Sequence, residues 1–143
     1  MAFEHPGGAA LDYRTCRYGA SRLPFRGPPQ RLDRPYTLFL GGTETFGRFV
    51  PRPFPALLGD TLGLAAVNMG VVNAGIDAFA RDDTVLDTVR LAETVVIQIV
   101  GANNLSNRFY SVHPRRNDRF LGTSAALGAL YPEVDFTEFT FTR

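Results

Sequence analysis

The run Tyr36-Thr37-Leu38-Phe39-Leu40 stops at Gly41-Gly42 and delivers Thr43. A short apolar segment that ends in glycines and then a hydroxyl residue is how a parallel α/β sheet finishes a buried strand and presents a side chain at its carboxyl edge. Two later runs end in the same manner. Leu64 to Asn68 passes into Met69-Gly70, and the β-branched Thr94 to Val100 passes into Gly101-Ala102-Asn103-Asn104. The intervals are long enough for helical crossovers, which parallel strands need. The expected fold is therefore α/β, a three-layer αβα sandwich with a parallel, flavodoxin-like sheet. Its strands fall near 36–40, 65–68 and 94–100. Right-handed crossovers that put helices on opposite faces set the first strand between the other two.

The intervening segments fit that plan. Residues 1–35 form an arm rich in Arg, Pro and Gly, and 36–143 form the α/β domain. Tyr13, Tyr18, Leu23 and Phe25 are spaced through the arm, which predicts that it packs on the domain. Pro55 suits the first turn of a helix that Ala56, Leu57, Leu58 and Leu62 continue and Gly63 ends. Asp77 to Glu93 predicts a second helix, with Phe79, Val85, Leu86 and Val89 on its apolar side. Asp82-Asp83-Thr84 is placed to interrupt it and cap a second segment. Residues 107–120 read as a polar loop or short helical turn, and Ser124 to Leu130 as a helix. Two readings stand for the last ten residues: a capping box at Asp135 to Glu138, or the strand-like alternation Phe139-Thr140-Phe141-Thr142.

Composition removes several classes of function. With 143 residues, 45% hydrophobic and 20% charged, the chain is one soluble globular domain or part of one. A net charge of +1 offers no field for nucleic acid or an acidic membrane, so neither is an expected partner. No apolar run reaches membrane-spanning length and the first residues lack a signal-peptide pattern, which gives a cytoplasmic expectation. One cysteine, Cys16, excludes an internal disulfide framework, and only His5 and His113 are available for a histidine metal site. No metal or other cofactor is expected. Every basic residue is Arg. Genome base composition accounts for that blandly. The sharper reading makes Arg14, Arg17, Arg22 and Arg26 of the arm an anion-binding border to the site.

The strand-end loops carry uncharged hydrogen-bonding groups: Thr43, then Asn68, Asn73 and Gly75, then Asn103 and Asn104. A nucleophilic hydroxyl needs oxyanion donors beside it, and backbone N–H groups and Asn amides serve that purpose. The alternative for each is structural. Thr43 can bond a backbone group within its turn, and Asn68 and Asn103 can tie one loop to another.

These three stretches resemble the first three blocks of the SGNH, or GDSL-type, hydrolases. In that family a strand ends in Gly-Asp-Ser-x-Thr, a second loop reads Asn-x-x-x-x-Gly and a third reads Gly-x-Asn-Asp. Gly41-Gly42-Thr43-Glu44-Thr45 places Thr43 where the serine stands and Gly42 where the aspartate stands. Phe54-Pro55-Ala56-Leu57-Leu58 is similar to the family's first helix. Asn68 matches the second block's asparagine, whose glycine aligns with Asn73 or with Gly75, and Gly101 to Asn104 keeps the third block with Asn104 for aspartate. The likeness covers about residues 36 to 105. It implies an ester or acyl hydrolase in which Thr43 attacks and Asn103 belongs to the oxyanion hole. The fourth block, Asp-x-x-His, is missing, and with it the family's general base. Separately, Arg17-Tyr18-Gly19, Phe25-Arg26-Gly27-Pro28 and His113 to Phe120 resemble an uncharacterised alphaproteobacterial family.

Three functions follow as expectations: a Thr43 hydrolase, a non-catalytic relative that binds an anionic or carbohydrate small molecule, and the structural half of a longer protein. Glu44 adjoins Thr43 and is a poor base near neutrality, and His113 reads as a loop histidine. The chain as given is therefore expected to show little or no esterase activity, and the sheet to be incomplete. The sequence leaves the oligomeric state open.

Overall fold

The computed structural model describes residues 14–142. The fold is mixed α/β: a small three-stranded parallel sheet packed by helices, with short antiparallel hairpins beside it. The arm supplies one of these, β1 (Thr15–Cys16) paired antiparallel with β2 (Phe25–Arg26). Tyr13 of the arm lies outside the described residues. Tyr18, Leu23 and Phe25 are buried in the same apolar cluster as the sheet, so this part of the arm is core and not a covering.

The sheet follows. Strand β3 (Thr37–Gly41) lies between β4 (Ala66–Gly70) and β5 (Thr94–Ile97), and both neighbours run parallel to it. The central place of the first strand agrees with the sequence. Leu38 and Leu40 point to one face with Val67 and Met69, where they are buried against Phe79 and Val85. Phe39 points to the other face and meets the Phe54 ring edge-on at 5.7 Å. Burial of β3 on both faces explains its unbroken apolar sequence.

Helices occupy the crossovers. After β3 come the single turn α1 (Thr43–Phe46) and α2 (Phe54–Leu62). Pro55 sits in the first turn of α2, and Gly63 ends it with φ 64°, a conformation that favours glycine. After β4 come α3 (Ile76–Ala80) and α4 (Asp83–Leu91). The long helix expected over 77–93 is thus two pieces. Asp82 divides them by accepting a hydrogen bond from Val85 N–H, and its other oxygen accepts from the Ser21 hydroxyl at 2.6 Å.

Two expectations need correction. The third strand stops at Ile97, not at residue 100, because the Gln98 side chain turns inward to the β3–α1 junction. Residues 107–120 are not a loop or helical turn. They enter an antiparallel hairpin of β6 (Tyr110–His113) and β7 (Arg116–Thr123), whose register shifts around Val112. Helix α5 (Ala125–Leu130) begins after a Ser124 cap. At the end of the chain both sequence readings are partly present: Asp135 caps a 3-10 turn over Phe136–Glu138, and Phe141 bridges antiparallel to Arg119.

Among the described residues strand β5 pairs with β3 alone, which leaves its outer edge open. Its flanks are uncovered too: Val96 is 38% exposed, Ile97 53% and Ile99 94%. Among the described residues no helix is long and apolar enough to cross a membrane.

Candidate functional site

The carboxyl ends of β3, β4 and β5 enclose a polar hollow of about 280 Å³. Gly42, Thr43 and Glu44 form one wall and Asn73 a second; the remaining lining is Gln98 to Gly101 with Asn104 and Asn117. Among the described lining residues Glu44 alone is charged.

Thr43 opens α1, so its side chain emerges at the strand end. Its hydroxyl accepts a hydrogen bond from Asn73 N–H at 3.0 Å and donates to Asn73 Oδ1 at 3.2 Å. Asn73 achieves this double contact with φ 58°, in the left-handed region that asparagine tolerates better than most residues. The β6–β7 hairpin holds it there. Asn117 N–H donates to Asn73 C=O at 3.0 Å, the Asn117 amide donates to Ala74 C=O at 3.3 Å, and Gly75 N–H donates to Pro114 C=O at 2.9 Å. The Gly75 N–H is therefore already committed to the hairpin. A Cβ at Gly75 would lie 3.3 Å from Asn117 Cβ and 3.4 Å from Asn104 C=O, so glycine permits this approach.

Gln98 locks the opposite wall. Its carbonyl oxygen accepts from Gly42 N–H at 3.0 Å, Thr45 N–H at 3.3 Å and the Thr45 hydroxyl at 2.8 Å. Its amide nitrogen donates to Glu44 Oε2 at 2.7 Å. Gly41 is required beneath it, since a Cβ there would stand 2.2 Å from Thr45 Oγ1. Asn104 joins from the 3-10 turn over Ala102–Asn104, donating to Asn117 C=O at 3.1 Å.

The expected site residues thus divide. Thr43, Asn73 and Asn104 share the hollow, with Gly75 just behind it. Asn103 is exposed beside it; its C=O accepts from the Tyr110 hydroxyl and its side chain folds toward Gly101. Asn68 is elsewhere. It is buried in β4, where its amide donates to Thr45 C=O at 2.8 Å and its Oδ1 accepts from Gly70 N–H at 2.8 Å. None of the four arm arginines lines the Thr43 hollow. Arg14 and Arg26 border a separate one of about 440 Å³ together with Asn68, and Arg17 and Arg22 are exposed and line neither. The Arg26 guanidinium is buried and donates to the carbonyls of Phe46, Gly47, Val50 and Pro51, which fixes the segment after α1.

Two site residues, Gln98 and Asn117, escaped the sequence reading. Gln98 was legible only as the single polar position in an otherwise apolar run. Asn117 lies among Arg115, Arg116, Asp118 and Arg119, where nothing marks an inward-facing amide. His113 Nδ1 accepts from Arg115 N–H within the hairpin turn. Among the described residues no group of three or more His, Cys, Asp or Glu converges to hold a metal ion.

A family model described as "Domain of unknown function (DUF6473)" matches residues 1–143, and the chain belongs to that family. No curated protein and no solved structure matches it.

Proposed function

We propose that this member of the DUF6473 family binds a polyhydroxylated small molecule of the carbohydrate class in the hollow beside Thr43, and does not hydrolyse it. The observation that carries this reading is the state of the Thr43 hydroxyl, engaged in both directions by Asn73. A threonine becomes a nucleophile only when a base takes its proton, and the proton here is directed to an amide oxygen. The one carboxylate nearby, Glu44, is bonded to Gln98. Besides Glu44 and the backbone stretch from Ile99 to Gly101, the lining is hydroxyl and amide side chains, each able to donate and accept, which suits the alternating donors and acceptors of a sugar. A volume of about 280 Å³ falls just below the usual range of small-molecule sites, roughly 300–1,000 Å³, and matches one ring better than a chain of them.

The finer fold expectation belongs with this reading. The three strands are taken as part of a three-layer, flavodoxin-like sheet of the SGNH type, with β5 as the edge where further strands join. Its open edge and uncovered apolar flanks support that. A second reading, acyl transfer by Thr43, is favoured by one contact: Asn73 N–H lies 3.0 Å from the hydroxyl, on the residue that the hydrolase resemblance aligns with an oxyanion donor.

Titration calorimetry with glucose, paired with 4-nitrophenyl acetate turnover, separates the two. Saturable heat with turnover at background supports binding. Turnover that disappears in Thr43→Ala overturns it in favour of the hydrolase.

A further inference from the structure

Among the described residues Glu44 is the only charged group on the hollow, and it has no cationic partner. Its one hydrogen bond comes from Gln98 Nε2, at Oε2. The orientation of Gln98 is not free. Three groups, Gly42 N–H, Thr45 N–H and the Thr45 hydroxyl, donate to its oxygen, and an exchanged amide would set NH₂ against the two backbone N–H donors, which cannot accept. With the oxygen so held, the NH₂ group faces Glu44. One carboxylate oxygen is tied back by this contact, and the other has no partner among the described residues. A carboxylate accepts and never donates, so the free oxygen selects a ligand hydrogen-bond donor. Because no cation among the described residues offsets its charge, a positively charged donor is favoured over a neutral one, and an anion is repelled.

We propose that Gln98 positions Glu44 as the specificity-determining acceptor of the hollow, which selects a sugar bearing an amino group over neutral and acidic sugars. The inference rests on the carbohydrate reading above for its ligand, and on the Gln98 geometry alone for its positioning part.

Calorimetry with glucosamine, glucose and glucuronate at pH 7 and low salt tests the ligand part. We expect glucosamine to bind about tenfold tighter than glucose, a factor of about 1.4 kcal/mol, and glucuronate more weakly than either. The advantage is expected to vanish in Glu44→Gln, which keeps an acceptor for Gln98 but removes the charge. Equal affinity for glucosamine and glucose, or an advantage that survives Glu44→Gln, overturns the selection. Failure of all three sugars to bind overturns the carbohydrate reading and the ligand part with it.

The positioning part is judged separately by Gln98→Glu. One oxygen of the new carboxylate satisfies the three donors, and the other opposes Glu44. Its melting temperature is expected to fall between pH 5 and pH 8 relative to the unaltered chain, because the paired carboxylates lose their shared proton. Adding Glu44→Gln restores the original profile. A Gln98→Glu chain with unaltered pH dependence overturns the positioning role.

Discussion

Asn68→Ala tests whether the asparagine that the sequence aligned with a catalytic block is instead a structural tie. Asn68 is 9% exposed and makes two short hydrogen bonds, to Thr45 C=O and from Gly70 N–H, each 2.8 Å. Alanine removes both and leaves a buried donor on β4 and a buried acceptor at the end of α1. Each group left unsatisfied costs about 1–3 kcal/mol, and partial access from the adjoining hollow, which Asn68 lines, moderates the sum to roughly 2–4 kcal/mol. At about 3–5 °C per kcal/mol for a chain of this length, the midpoint falls by roughly 6–20 °C. Urea unfolding followed by far-ultraviolet circular dichroism measures it, since the chain has no Trp. A loss below about 0.5 kcal/mol, the level of an ordinary surface substitution, refutes the tie. Asn68→Asp sharpens the test through its sign. The retained oxygen still accepts from Gly70, but the second faces the Thr45 carbonyl and, when ionised, is repelled. The folded-state pKa of that Asp is raised, so its stability is recovered as the pH falls and lost as the pH rises through the folded value.

Arg26→Lys is expected to destabilise by about 2–4 kcal/mol, because one ammonium cannot reach four carbonyls; an unchanged urea midpoint would contradict the clamp. Asp82→Ala removes the α4 cap and the acceptor of Ser21 together, for about 1–2 kcal/mol by thermal melting. Burial pushes the Tyr18 phenol up to about 12 and raises that of Tyr36. The neutral forms are thus favoured by folding, and stability is lost as the pH rises from 10 through the folded values; melts between pH 9 and 12 that stay level would contradict this.

What the sequence disclosed and what it hid have separate physical causes. The positions of β3 and β4 were legible because a strand buried on its faces must be apolar and because Gly41 and Gly70 end them, whereas β5 was legible from its β-branched run although its flanks are exposed. The Asp82 interruption was legible because an N-cap is a local pattern. The hairpin was not: two register shifts near Val112 destroy the period of 2 that would have betrayed it. Nor was the contact of Gln98 with Glu44, which lies across 54 residues of chain and is set by tertiary packing. Asn68, in the middle of β4, ties Thr45 to Gly70 and does not line the Thr43 hollow, a placement that a motif match cannot disclose.

The open edge of β5 has a further consequence for the chain before it is folded. From Thr94 to Asn107 there is no charged residue and no proline, and Val95-Val96-Ile97-Gln98-Ile99-Val100 is β-branched but for Gln98. Such a hexamer has the makings of a steric zipper, in which identical segments stack through their main chains. Edge strands are commonly guarded by lysine, and this chain has none. Productive folding is therefore a race: β3 must pair with one side of this segment before a second molecule pairs with the other. Dilution during refolding, or a single charge placed at Ile99, shifts that race toward the folded chain.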